Sequence, residues 1–392
     1  MLQHNDGGDA VVGDGATAQH PLTALKTPAR PEDMNLPPAV LEELSRLFPR
    51  PPEEGFACVG RCASTGKEVT LCYSVFGDPA DPCILLIMGM NATSLMWDIR
   101  FCGYLAAAGF YVIRYDNRDV GLSTHFDEYS PPFILRMVLP TWASIGEGPL
   151  AYTLDDMAED AAGLLKALKI SQAHIVGCSM GGMIAQLLTL RHPEMVASLC
   201  LHSTSAGSPW PRASVLLNIL DQPENTRDVH SVLDYRVRFF KAVAGDMTFH
   251  EREFRLGMWF DFVRAPYQGG ARRHLAAIVR AKDRSAALRA YINQGTSTMA
   301  SGSDDKRGSS SPPASGTAPS RCIPVVVLHG GKDPLVVLSN GQHLASCIKG
   351  ARLVVFPKMG HYFSKDMFRP IADEVILNAR TDAAAMVNAL PS

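Results

Sequence analysis

The apolar positions of this chain follow two rhythms that alternate along most of its length. Short, nearly continuous apolar runs recur at Cys83–Met88 (CILLIM), Tyr111–Tyr115 (YVIRY), Ala173–Cys178 (AHIVGC), Ala197–Leu201 (ASLCL), Ile323–Leu328 (IPVVVL) and Arg352–Phe356 (RLVVF). Runs of that length without polar alternation are expected of strands buried on both faces. Glu68–Phe76 instead roughly alternates, with Val69, Leu71, Tyr73 and Phe76 apolar, and suits a meander strand. Between the runs the spacing is helical. Residues 153–168 place Leu154, Met157, Ala161, Leu164, Leu165 and Leu168 on one stripe behind Thr153 and acidic residues, a capped amphipathic helix. Helices are also expected over 103–110, closed at Gly109, and over 180–191, 339–347 and 367–380. Strands alternating with helices across short connections predict an α/β fold, with a mostly parallel, doubly wound sheet covered on both faces.

The rhythm breaks in three places. Residues 1–36 are rich in Gly, Pro and Ala and are expected to form a flexible leader, followed by a short helix over 36–48. After Ser203 the chain is helix-like, aromatic and basic with no strand-like run, so 207–293 is expected to be a helical cap inserted into the sheet domain. The tract 294–320 is Ser-, Gly- and Pro-rich, cannot build a core, and is expected to be a disordered surface insertion. The sheet domain is therefore split into 37–206 and 321–392.

Where the run at Ala173 meets the helix at Met180, the sequence reads Gly177-Cys178-Ser179-Met180-Gly181. G-x-S-x-G between a strand and a helix is the setting of a nucleophile elbow. Ser179 must take a strained backbone conformation there, so the residues two away on either side have to lack side chains. Met180 N–H then points toward an oxygen gaining negative charge. A hydroxyl nucleophile requires a base, and the base an orienting acid. Ligand sites of such sheets lie at the carboxyl ends of the strands. Asp333, in HGGKDP after one run, and His361, in PKMGHY after the next, meet that condition and give the order Ser, Asp, His. Asp116 also follows a strand but precedes the serine, and His329 reads as a packed or capping residue. The turn Met88-Gly89-Met90-Asn91 lets the backbone approach a substrate, making Met90 N–H the second oxyanion donor.

Composition narrows the partners. A net charge of −2 with no basic stripe argues against nucleic acid. No apolar run approaches the ~20 residues a membrane helix needs. The start of the chain lacks the pattern of a signal peptide, and single cysteines inside apolar runs suit a reducing compartment, so a cytoplasmic location is expected. Cys58 and Cys62 have no second pair to complete a zinc-like set, and no metal or organic cofactor is implied.

LLIMGMNATSLMW, VIRYDNRDVGLST, AHIVGCSMGGMIAQ, VVVLHGGKDPLV and KMGHYF together resemble the α/β-hydrolases of the aclacinomycin methylesterase type. The resemblance spans about 68–206 and 321–380 and is weak across the cap. It implies an esterase with Ser179 as nucleophile, His361 as base and Asp333 as acid. Met88-Gly89 matches the M-G that opens the oxyanion turn of that group. In the wider D-x-R-G-x-G-x-S block, Asp119 stands where the family has glycine, beside Asp116, Arg118, Gly121 and Ser123. The expected activity is hydrolysis of a carboxylic ester of a small or lipophilic substrate through an acyl-enzyme. Alternatives are a prolyl-type aminopeptidase, whose free amine would need a cap carboxylate such as Glu251, Glu253 or Asp261, a lipase, or a non-catalytic ligand-binding relative. Phe239, Phe240, Met258, Trp259, Phe260 and Phe262 are candidates for an apolar pocket or, for most of them, the cap's own core.

Overall fold

Eight strands form one sheet in the order β1-β2-β4-β3-β5-β6-β7-β8: β1 (Glu54–Arg61), β2 (Glu68–Phe76), β3 (Cys83–Ile87), β4 (Tyr111–Tyr115), β5 (Ala173–Cys178), β6 (Val196–His202), β7 (Val325–Gly330) and β8 (Arg352–Phe356). The structure is a computed structural model that describes residues 54–130, 150–207, 223–225, 228–266, 269–297 and 323–381, with Pro38 and Glu42. The expected leader, most of the 36–48 helix and most of the 294–320 tract lie outside the described residues. β1 and β2 run antiparallel to their neighbours and the other pairings are parallel. β1 carries no clear apolar alternation because glycines interrupt it and its register shifts between Cys58 and Gly60, and the sequence reading passed over it.

The continuous apolar runs serve two faces. Leu85, Ile113, Ile175, Leu199 and Val327 pack with Met157, Leu164 and Leu165 of α2 (Leu154–Ala167), Met183, Ile184 and Leu188 of α3 (Met180–Arg191), and Leu344 of α8 (Leu338–Cys347). Ile84, Leu86, Val112, Val176, Cys200, Val326 and Leu328 pack on the other side with Phe101 and Leu105 of α1 (Ile99–Ala107) and Ile371 and Val375 of α9 (Phe368–Arg380). Each such fully buried Leu, Ile or Val is worth roughly 1.5–3 kcal/mol, and the polar residues that do interrupt the runs, such as Arg114 and Ser198, are buried with hydrogen-bond partners. Thr153 caps α2, and a capping box with Asp156 fixes its start. α1 begins earlier than its apolar spacing suggested, at the Asp98 cap, whose carboxylate accepts from Arg100 N.

Between β6 and β7 stand α4 (Val229–Ala242), α5 (Glu251–Arg264), α6 (Ala271–Val279) and α7 (Ser285–Ser297), so helix continues into the first residues of the tract read as low-complexity. Leu233, Val237, Phe254 and Met258 form an apolar cluster with Phe239, Phe240 and Trp259 against it, closed by Tyr362 from the sheet domain. Those candidate pocket residues are therefore largely the core of these helices. Buried polar links tie the helices to the sheet: Arg264 to Glu54 and Asp116, Arg273 to Asp119, and Asp261 to Thr93.

Candidate active site

The parallel strands end together, with Ile87 opposite Gly177, Cys178 opposite His202, His202 opposite Leu328 and Gly330 opposite Phe356. Gly89, Ser179, Asp333 and His361 thus leave the sheet along one edge. Ser179 caps α3 with φ 56° and ψ −120°, a conformation that costs a non-glycine residue of order 1–3 kcal/mol. Its neighbours enforce it. A Cβ on Gly177 would run into the Gly181 carbonyl, and one on Gly181 into the carbonyl of Ile87 on β3. The elbow is held further by Ser179 N donating to His202 O at 2.9 Å and Thr204 Oγ1 donating to Ser179 O at 2.7 Å.

Asp333 and His361 are in direct contact. His361 Nδ1 lies 2.8 Å from Asp333 Oδ2, and Asp333 Oδ1 accepts from the amides of Leu335 and Val336, each at 2.9 Å. Burial pushes the Asp333 carboxyl up most strongly, but His361, His329 and the Val336 amide outweigh it and hold it below the usual carboxylate range. The loop carrying His361 is clamped by the end of α4, since His361 N donates to Val243 O at 2.7 Å and Gly360 N to Ala244 O at 3.0 Å. Ser179 Oγ and His361 do not hydrogen-bond in this structure. Nucleophile–base pairs are often long without substrate and tighten around it.

The turn after β3 lies against the nucleophile. A Cβ on Gly89 would stand 3.1 Å from Ser179 Cβ and 3.3 Å from Cys178 O, so glycine lets this turn approach the nucleophile without displacing it. Met180, the first residue of α3, has no acceptor for its N–H within the helix. The Gly89 backbone and the start of α3 thus both stand next to Ser179.

The rival residues are engaged elsewhere. Asp116 accepts from Ser94 N at 2.8 Å, Leu122 N at 3.0 Å and Arg264 Nη2 at 2.8 Å. His329 is buried with Nε2 2.7 Å from Val336 O. His202, at the end of β6, has its Nδ1 3.2 Å from Cys178 Sγ, and burial holds it neutral with its pKa lowered to about 3. Among the described residues no group of His, Cys, Asp and Glu is arranged to hold a metal ion, and no helix is long and apolar enough to cross a membrane. Sequence reasoning missed Arg264, Arg273 and His274, which reach this edge from helices far along the chain. No local motif marks them.

The alpha/beta hydrolase fold matches residues 82–366 of the chain. The chain is 29% identical over 341 residues to a rhodomycin D methylesterase of Streptomyces sp. (strain C5), covering 81% of this chain and 97% of that protein. It is 28% identical, with the same coverage, to the rhodomycin D methylesterase of Streptomyces peucetius. The enol-lactonase of Burkholderia xenovorans LB400 shares the fold at 21% identity with a TM-score of 0.55, covering 80% of this chain and 97% of that one. With its sheet order, its strand-edge site and this match over most of its length, the chain belongs to the α/β-hydrolase fold family and is similar to methylesterases within it.

Proposed function

We propose that the chain is a serine hydrolase that cleaves a carboxylic ester of a small or lipophilic substrate through an acyl-enzyme. The observation that carries the reading is the 2.8 Å contact of His361 Nδ1 with buried Asp333, on the strand edge where Ser179 stands strained at the elbow. Ser179 Oγ attacks the ester carbonyl while His361 takes its proton. Asp333 fixes the tautomer that leaves Nε2 free to do so. The amides of Met90 and Met180 hold the oxyanion, a contribution often worth roughly 3–4 kcal/mol per donor. His361 returns the proton to the departing alcohol, then activates a water that releases the acid and restores Ser179. The reaction balances as ester plus water giving acid plus alcohol. The similarity to the two methylesterases supports an ester as substrate.

In this reading 37–206 and 321–392 form the catalytic core, the helices between them the cap, and the free, mostly buried thiols suit a cytoplasmic setting. The aminopeptidase alternative loses support. Glu251 pairs with Lys241 and Arg255, Glu253 with Arg100 and Lys365, and Asp261 accepts from Thr93. A fluorophosphonate probe tests the proposal. Purified protein is expected to label, and to hydrolyse p-nitrophenyl butyrate, with both lost in Ser179→Ala and His361→Ala. Well-folded protein that does neither overturns the reading and leaves a ligand-binding relative in its place.

A further inference from the structure

A side chain of helix α6 reaches the turn after β3. His274 is fully buried, with Nδ1 3.2 Å from the Asn91 amide nitrogen and Nε2 2.8 Å from the Arg118 carbonyl oxygen. An amide N–H only donates and a carbonyl only accepts, so the ring is neutral, with a lone pair on Nδ1 and its proton on Nε2. Burial, the largest influence, also holds the pKa of His274 below the ordinary histidine range, against the opposing pull of the Arg118 carbonyl and Asp119.

The amide that His274 receives directly follows the oxyanion residue. Asn91 sits at φ 52°, a left-handed conformation that a non-glycine residue keeps only when its surroundings impose it. Only the two soft torsions of Met90 separate the Met90–Asn91 peptide from the Gly89–Met90 peptide that carries Met90 N–H. On the upstream side Asn117 Nδ2 donates to Met88 O at 2.9 Å. The Gly89–Met90 peptide is thus pinned from both ends, by Asn117 of the sheet domain and by His274 of α6.

We propose that His274 is a positioning residue of the oxyanion hole: by accepting the Asn91 amide it holds Met90 N–H toward the carbonyl oxygen attacked by Ser179. This rests on the serine-hydrolase reading above. Its consequence is that the helices between β6 and β7 complete the catalytic geometry, besides covering the substrate.

The test compares His274→Leu, which fills space without a hydrogen bond, with His274→Gln, whose amide offers an acceptor and a donor at similar spacing. Rates on p-nitrophenyl butyrate are normalised to serines titrated by the fluorophosphonate, so unfolded protein does not count. His274→Leu is expected to lower kcat about 10- to 100-fold with KM changed less than about 3-fold, short of the roughly 100- to 1000-fold loss from deleting a donor outright. The Ki of a trifluoromethyl ketone, which forms an oxyanion on the serine, is expected to rise by the same factor. His274→Gln is expected to stay within about 3-fold of wild type in kcat. Unchanged kcat in His274→Leu, or a glutamine variant as impaired as leucine, overturns the positioning role while leaving the triad reading intact. Wild type that neither labels nor turns over the ester overturns both. Should the leucine variant not fold, the imidazole nitrogen shifts of His274 in wild type decide: protonated Nε2 with bare Nδ1 near neutral pH is expected, and a protonated Nδ1 overturns the proposal.

Discussion

Asp119 grips Arg273 across the seam between the sheet and α6, with Oδ2 2.6 Å from Nε and Oδ1 2.9 Å from Nη2. Asp119 stands at φ 66°, the left-handed conformation that suits the glycine of the wider superfamily block. Keeping an aspartate there costs roughly 1–2 kcal/mol of backbone strain. Its carboxylate offsets this by also accepting from Tyr152 Oη at 2.6 Å and Phe126 N at 2.7 Å. What looked in the sequence like a lapse in a motif is an anchor for the neighbouring helix.

Asp119→Gly is therefore expected to destabilise despite relieving the strain, by about 2–4 kcal/mol, because it strips Arg273 of its main buried partner. Arg273→Met in the same chain should recover part of that loss. Urea unfolding of the two single variants and the double variant measures the coupling. A coupling energy below about 0.5 kcal/mol would mean the contact does not hold the seam.

Gly89→Ala and Gly181→Ala separate positioning from folding. At Gly89 the new methyl meets Ser179 Cβ at 3.1 Å, so the turn has to yield by a few tenths of an ångström. Esterase activity should fall about 10- to 100-fold in folded protein, since a small misplacement of a donor is costly. At Gly181 the methyl strikes the backbone of Ile87, which cannot move without parting β3 from β5, so the expected result is poor folding. Equal melting temperatures for the two variants would contradict this.

Asp261 carries a carboxyl that burial pushes up, only partly offset by Arg236 and the Thr93 hydroxyl. Asp261→Asn keeps an acceptor for Thr93 and removes a buried charge, so stability near neutral pH should stay within about 1 kcal/mol of wild type or rise. Activity on p-nitrophenyl butyrate should persist. Selective loss of activity on aminoacyl substrates alone would revive the aminopeptidase reading.

Acid should loosen the seam from the sheet side. Burial pushes Asp119 up, but Arg273, Tyr152 and the Phe126 amide prevail, so its folded pKa lies below the 3.8 of an ordinary aspartate. A depressed carboxyl stabilises the fold fully above about pH 4 and loses that contribution as pH falls through its folded pKa. Asp116 and Asp333 shift the same way, whereas buried Asp160 is raised and works in the opposite sense. The stability gap between wild type and Asp119→Asn, read from urea midpoints, should be widest near neutral pH and shrink below about pH 4. A gap that is constant with pH would rule this out.

Much of the frame was legible because buried parallel strands and amphipathic helices leave separate periods in the sequence. Tyr111–Tyr115, Ala173–Cys178 and Met180–Arg191 fall where their apolar spacing placed them. Glu54–Arg61 was not legible, since an edge strand interrupted by glycines needs little apolar pattern once β2 supplies its hydrogen bonds. Asp333 and His361 could be picked out because each follows a strand whose end the sheet brings to one edge.

By itself the sequence determined the alternation of strands and helices, the elbow around Ser179 and the order of the residues proposed to act with it, all of which rest on local spacing. Only the tertiary structure decided what Asp119 and His274 do. Their partners, Arg273 on one side and Asn91 on the other, lie 154 and 183 residues away along the chain. No periodicity records such a distance. A buried carboxylate or imidazole takes its meaning from the donor or acceptor that folding brings within about 3 Å of it.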